Sequence, residues 1–471
     1  MSELSSDNEK FRLDDEFFMK KYIYSYSKIK SMPNFVLGNE IETLTDFHAN
    51  GSYETIAQNF QLLDDVDYAY MVRTTDLESN NFSDNIKHIT EQAYNFLSKS
   101  KVYGGELLIN KIGTPGKCYL MPTLNKPVSL GMNLFLLRLK ESSLLSESFL
   151  YVFFNTEFGK NIILRKVNGT VPLTIDKAAI KSLYIPKFSK QFVEKIDLLV
   201  NQSFELETQS KAKYHQAETL LLQTLNLQDF NPTQTAVNIK SFSGSFEQTG
   251  RLDAEFYQGK YDELMNHLKQ KYYATLADVV NIKKSIEPGS VAYDDNGVPF
   301  IRVSDYDKFQ ISTPDKYLSA QYYAENKSTL DKLKPKKDTI LFSKDGTVGI
   351  AYQLNHDLNG ITSGAILHLS VKDKRILPEY LTLLLNSLVV QMQAERDVGG
   401  SIIQHWRVEE INQVIIPIID MPTQTQIAEL ITTSNQLREQ STALLAKAKL
   451  VVEMAIEQGE HNALTELEIG E

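Results

Sequence analysis

Residues Ile427–Ala455 read IAELITTSNQLREQSTALLAKAKLVVEMA. Leu430, Leu437, Leu444 and Val451 recur every seven residues, and Ile427, Ser434, Ser441, Ala448 and Ala455 fill an alternate series. A 3-4 spacing places both series on one stripe of a helix, the pattern of a coiled coil. The small Ser and Ala positions let a partner helix approach closely. That partner is expected in the same chain. Moving back 231 residues from Leu430 and Leu437 gives Leu199 and Leu206, and the series continues at Leu220. Ile196, Ser203, Ser210 and Ala217 supply the alternate series, and only Lys213 departs, where the later copy has Leu444. Two matched helices of about 35 residues each span roughly 50 Å. They read as a spacer in a duplicated protein.

The duplication extends upstream of both helices. Arg12-Leu13-Asp14-Asp15-Glu16-Phe17 returns as Arg251-Leu252-Asp253-Ala254-Glu255-Phe256. A β-branched, apolar segment ending at Arg73-Thr74-Thr75-Asp76 returns in Phe300-Ile301-Arg302-Val303-Ser304-Asp305, and both read as short strands. Leu108-Ile109-Asn110-Lys111-Ile112-Gly113-Thr114-Pro115-Gly116 matches Leu341-Phe342-Ser343-Lys344-Asp345-Gly346-Thr347-Val348-Gly349, a strand running into a glycine-rich turn. A last block pairs Asn155, Arg165, Gly169, Ile180, Ile185 and Pro186 with Asn386, Arg396, Gly400, Ile411, Ile416 and Pro417. It reads as helix, glycine-containing loop, short helix, then a strand stopped by proline. Each half is therefore expected to be an α+β unit with a long helix at its end.

Composition narrows the function. The 471 residues suffice for two or three domains. The single Cys118 excludes a disulfide framework and fits a reducing cytosol. The first ten residues carry no basic segment followed by an apolar core, and no apolar run approaches a membrane span. A cytoplasmic location is expected. The net charge of −11 argues mildly against nonspecific nucleic-acid binding, although part of the acidity lies near the end of the chain. Neither glycine turn carries the Lys-Ser/Thr of a phosphate-binding loop. There is no Asn/Asp-Pro-Pro-Tyr/Phe methyltransferase signature, no Gly-x-Ser-x-Gly elbow, and no His or Cys pair at metal spacing. A non-catalytic chain is expected, with no metal and no cofactor of its own.

The candidate binding residues lie on the repeated loops. Glycine lets backbone N–H groups approach a phosphate or base edge closely. Beside Gly113, Thr114 and Gly116 stand Asn110 and Lys111; beside Gly346, Thr347 and Gly349 stand Ser343 and Lys344. Donors and a cation of this kind suit DNA. The plain alternative is that the glycines only form tight turns. Arg73 with Thr74, and Arg302 with Ser304, can meet guanine or phosphate, or can pair with Asp76 and Asp305. Asn168, Gly169 and Thr170 form a polar loop in one half; Gly400, Ser401, Gln404 and His405 form its counterpart, with Trp406 read as a buried anchor. Lys327, Lys332, Lys334, Lys336 and Lys337 make a basic run that also reads as a solvated face.

This ordered, duplicated set of blocks resembles the specificity subunit of Type I restriction-modification systems, over most of residues 12–458. Met421-Pro422-Thr423-Gln424-Thr425-Gln426-Ile427-Ala428 resembles that family's helix start. The resemblance implies an α+β fold with two tandem target-recognition domains in a pseudo-two-fold arrangement, separated by two long antiparallel coiled-coil helices. Its layout here is 1–187 and 251–420 for the recognition domains, 188–226 and 421–458 for the helices, 227–250 for a linker and 459–471 for an acidic tail. It implies a sequence-specific subunit that reads a bipartite, asymmetric site in double-stranded DNA. Two methyltransferase subunits and restriction subunits dock on such a chain, and S-adenosylmethionine and ATP belong to those partners. The competing reading is a scaffold without DNA binding, or a specificity factor of another phage-defence methyltransferase complex.

Overall fold

The structure, a computed structural model, describes residues 12, 14–83, 85–169, 171–235, 237–398 and 404–469. The chain forms two compact units, one from residues 1–206 and 440–471, the other from 207–439. Both long helices therefore contribute to both units. The expected boundaries assigned each helix whole.

In the first unit an antiparallel sheet has the strand order Ile41–Asp46, Leu134–Leu139, Leu107–Asn110, Cys118–Leu120. The run Leu-Phe-Leu-Leu-Arg-Leu at 134–139 is apolar on both faces because it divides two cores. Phe135, Leu137 and Leu139 enter the cluster under the helices, while Leu134 and Leu136 enter a second cluster with Tyr70, Val72 and Leu130. A second sheet orders Lys87–Ile89, Ala69–Val72, Val128–Leu130 and Lys101–Val102, with its central pair parallel. Helices Glu147–Asn155 and Glu157–Leu164 start on Ser146 and Thr156, whose hydroxyls accept from the backbone N–H of Phe149 and Gly159. Their phenylalanines fill the larger core; a fully buried ring such as Phe149 contributes roughly 2 kcal/mol through removal of its surface from water.

The second unit repeats this plan. Val280–Lys284, Ile366–Val371, Ile340–Ser343 and Ala351–Gln353 form the antiparallel sheet. Its second sheet orders Tyr293–Asp294, Tyr317–Leu318, Val298–Ile301 and Ile361–Thr362, and again contains one parallel pair. The repeated Arg-x-Asp openings do the same work twice. Arg12 is held by Asp14 and donates to the carbonyls of Arg165 and Val167 at 3.0 and 2.6 Å. Arg251 is held by Asp253 and donates to the Asp397 carbonyl at 2.6 Å. Each guanidinium binds carbonyls at or just beyond the end of a helix (Glu157–Leu164 and Leu388–Val398), where cations are favoured.

The long helices run Lys190–Thr224 and Met421–Gln458, 35 and 38 residues. Contacts on them run in opposite chain directions, as expected of an antiparallel pair. In the first unit Ser203 Oγ donates to the Ser441 carbonyl at 3.0 Å, and the two hydroxyls lie 2.8 Å apart. In the second, Ser210 and Ser434 each donate to the other's carbonyl at 2.8 Å. The serine and alanine series is the buried one. Leu199, Leu206, Leu220, Leu430, Leu437 and Leu444 are only half-buried, whereas Val451 is fully buried. The seam instead pairs Ile196, Ser203, Ser210 and Ala217 with Val200, Tyr214 and Leu221, four residues on rather than three. The reason is lateral: each stretch of helix also packs on the sheets and short helices of the unit it belongs to, which rotates the buried stripe away from the leucines.

The expected acidic tail is likewise structured. Gly459, with φ of +94°, turns the chain into a helix, Glu460–Ile469, and Ala463 and Leu467 are buried in the first unit's core. The linker is tied to the second unit: Asn238 and Lys240 bind Asp262, and Leu227 joins its core.

Candidate nucleic-acid interface

Both glycine turns are built in the same way. In the first unit the Gly116 N–H closes the turn on the Asn110 carbonyl at 2.8 Å, and Asn110 Nδ2 donates to Thr114 Oγ1 at 2.7 Å. In the second, Gly349 N–H donates to the Ser343 carbonyl at 2.9 Å, and Ser343 Oγ accepts from Ile350. All four glycines have φ between +75° and +88°. A Cβ on Gly113 or Gly346 would meet nothing within 4 Å, whereas one on Gly116 would lie 1.9 Å from Ile163 Cγ2, and one on Gly349 2.8 Å from Gln391 Nε2. The first glycine of each turn serves backbone geometry, and the second also serves packing.

The distant polar loops come onto these turns. Asn168 and Thr174 exchange N–H···O bonds at 2.8 Å, the Gly113 N–H donates to the Leu173 carbonyl at 3.2 Å, and Ile175 N–H donates to the Lys111 carbonyl at 3.1 Å. Correspondingly, Gly346 N–H donates to Gln404 at 2.9 Å, and Trp406 N–H to Lys344 at 2.8 Å. Thus Lys111, Gly113, Thr114, Asn168 and Gly169 come together at one surface with Asn110 and Gly116 buried beneath it, and Lys344, Gly346, Thr347, Gln404 and His405 at another with Ser343 and Gly349 buried beneath it. Thr170, Gly400 and Ser401 lie outside the described residues. One expectation needs correcting: the N–H groups of Gly113, Gly116, Gly346 and Gly349 are all spent on carbonyls of the protein, so they do not form a phosphate cradle. Gly113, Thr114, Gly169, Gly346, Thr347 and His405 are exposed, which leaves side chains and glycine surface for a ligand.

Arg73 and Arg302 do not join either surface. Asp76 takes Arg73 Nη2 at 2.6 Å and Nε at 3.1 Å, while also accepting from the Arg73 N–H and the Tyr70 hydroxyl. Asp305 takes the Arg302 N–H at 2.8 Å and Nε at 3.4 Å, Asp315 takes the other side of the guanidinium, and Ser304 donates to Asp305. Thr74 opens the helix that Asp76 caps. The ion-pair alternative is the one that forms, because each aspartate also satisfies an N-terminal backbone donor. The basic run is also largely paired: Lys327 and Lys334 face Asp331, and Lys336 faces Asp357. Trp406 is fully buried, with Nε1 donating to Asp397 at 3.1 Å.

The sequence reading missed the groups around the two lysines. Asp46 lies between Lys111 and Lys177, at 2.9 and 2.8 Å, and His48 Nδ1 stands 3.5 Å from Lys111 Nζ. In the second unit Lys344 pairs with Asp345, which also meets His405. Burial pushes the Asp46 carboxyl up, but its bonds to Lys177 and Lys111 outweigh that and hold it below its usual range. Burial and then the Lys111 cation push His48 down, which keeps it neutral at pH 7. No spacing in the sequence signals a carboxylate 65 residues from its lysine. Among the described residues no cluster of His, Cys, Asp and Glu can hold a metal. Cys118 is buried, and that burial pushes its thiol up, away from nucleophilic use. No helix among them is long and apolar enough to cross a membrane.

Residues 271–448 match the family of the Type I restriction modification DNA specificity domain. No curated protein matches the chain. Among solved structures it is similar to the S subunit of a Type I restriction-modification system from M. genitalium, at 13% identity, over 90% of this chain and 95% of that one, with a TM-score of 0.42. It is also similar to the HsdS subunit from Thermoanaerobacter tengcongensis, at 13% identity, over 91% and 97%, with a TM-score of 0.28.

Proposed function

We infer that this chain reads a bipartite DNA site, one half with each unit; the match of residues 271–448 to the Type I restriction modification DNA specificity domain supports this reading. The observation that carries this is the double occurrence of one construction: a glycine turn, a lysine at its base, and a polar loop laid across it. The family match falls on the second unit and its helix, and the first unit repeats the same strands, turn and loop. The chain performs no chemistry of its own in this reading. Methyltransferase subunits carrying S-adenosylmethionine, and ATP-using restriction subunits, act on DNA that this chain selects.

The two surfaces differ in side chains, with Asn168 and Lys177 on one and Gln404 and His405 on the other. The two half-sequences should therefore differ, since base identity is read by side-chain donors and acceptors. The test is methylome sequencing of the host with and without this gene, its neighbouring subunits unchanged. Loss of methylation at one split motif with unlike halves is the expected result. An unchanged methylome in a host whose methyltransferase is active would assign the chain to a scaffold instead.

A further inference from the structure

We propose that Lys111, Lys177 and His48 of the first unit form a contact for a DNA phosphate, held open by Asp46. The proposal rests on the DNA-reading function above and names the residues of one contact within it. The loop that crosses the glycine turn brings Lys177 to Asp46, 131 residues away, through the bonds of Gly113 and Ile175 described above. Two ammonium groups then share one carboxylate, leaving one positive charge in excess. The side chains of Lys111 and Asp46 are 16% and 12% exposed, so both are fixed, while Lys177 is 36% exposed and reaches the surface. Phe135 lies beneath both lysines, 5.5 and 5.9 Å from their Nζ atoms, and limits their motion.

His48 completes the arrangement. A lysine ammonium only donates, so the neutral ring turns Nδ1 toward Lys111 and carries its proton on Nε2. Tyr53, itself exposed, packs on this ring at 4.9 Å, and Phe47 meets it edge-on at 5.5 Å. Nε2–H is thus a donor of fixed direction with no hydrogen-bond partner among the described residues. Cations plus an oriented neutral donor are what a phosphate oxygen takes from a DNA-binding protein. In the second unit Val408 stands where the repeat has Lys177, and the strand register puts Lys284, opposite Leu367, where the first unit has Asp46, opposite Phe135. There Lys344 pairs with Asp345, which His405 also meets, so the carboxylate comes from the turn itself and not from the strand.

The test uses the full chain and a duplex carrying its methylated motif, with affinity measured across a range of salt. Lys177→Gln should lower the slope of log affinity against log salt by about one, the loss of a single phosphate contact. Asp46→Asn should raise affinity and steepen the slope, because it removes the anion that competes with phosphate. A merely structural ion pair would do the opposite or nothing. Lys177→Arg should restore the original slope. Unchanged slopes in both Lys177→Gln and Asp46→Asn, with wild-type binding intact, would overturn the contact. A change in the methylated motif would also overturn it, showing a base contact. Absence of binding by the wild-type chain would overturn the DNA-reading function itself.

Discussion

Gly113 and Gly116 lie three residues apart with nearly the same φ, +88° and +85°, yet they are constrained differently. An alanine at Gly113 meets only the strain of the left-handed region, about 1 kcal/mol. At Gly116 the added methyl also drives into Ile163, so the cost rises to about 3 kcal/mol. Urea unfolding of the two variants should show that order, and equal losses would refute the packing role. His368 makes a second prediction. It sits opposite Leu341 in the sheet, where the first unit pairs Leu136 with Leu108. Its Nε2 lies 2.8 Å from Thr362 Oγ1, and burial, then Lys283, push its pKa down to about 4 from 6.5. A depressed histidine pKa means that the unfolded chain binds the proton first. Stability should therefore fall as pH drops from 6.5 toward 4, by on the order of 3 kcal/mol at pH 4 from this residue alone. His368→Leu should flatten that part of the pH–stability profile; an unaltered profile would mean that the imidazole is already charged in the folded unit.

At the scale of elements, the long helices show how far a heptad reading reaches. Every seventh residue lies on one stripe, but a stripe has two flanks, and the chosen flank decides which leucines are buried. Here the serine and alanine series is the floor of the seam, and its hydroxyls bond to the facing backbone, as in Ser203 with Ser441 and Ser210 with Ser434. The half-buried leucines lie beside it. Ile196→Asp should therefore cost on the order of 4 kcal/mol, through an unpaired charge placed in a fully buried site. Leu206→Asp should cost only about 1 kcal/mol, since water reaches the half-buried carboxylate. Denaturant unfolding of the two variants would settle the order, and a reversed order would return the seam to the leucine series.

At the scale of the whole molecule, the duplicated plan coexists with unlike charge around the two glycine turns. The chain carries −11 in total, and most of its basic groups near the turns are spent on internal partners. Asp76, Asp305, Asp331 and Asp345 each neutralise a cation that a count of residues would assign to DNA. What differs is local: Lys177 reaches the surface in the first unit, and Val408 stands at its place in the second. This is the physical basis for expecting unlike halves in the methylated motif: strands and turns are shared, while the side chains carried onto them are not.

The sequence by itself determined the duplication, the order of the repeated blocks, the two long helices and the turn–loop pairs. Those features follow from short-range rules: hydrophobic period, glycine and proline punctuation, and an internal repeat that shows each block twice. It also placed Lys111 beside Gly113 and Lys344 beside Gly346, because neighbours in sequence remain neighbours in a turn. Tertiary structure decided what those lysines face. Asp46 and Lys177 reach Lys111 only after the strand Ile41–Asp46 and the loop before Lys177 are laid on the turn, and no local pattern encodes that meeting. It decided equally that the amides of Gly113 and Gly346 are occupied, and that Arg73 and Arg302 are paired. Partner choice depends on distances across the fold, where one carboxylate brought within 3 Å outweighs any propensity written along the chain.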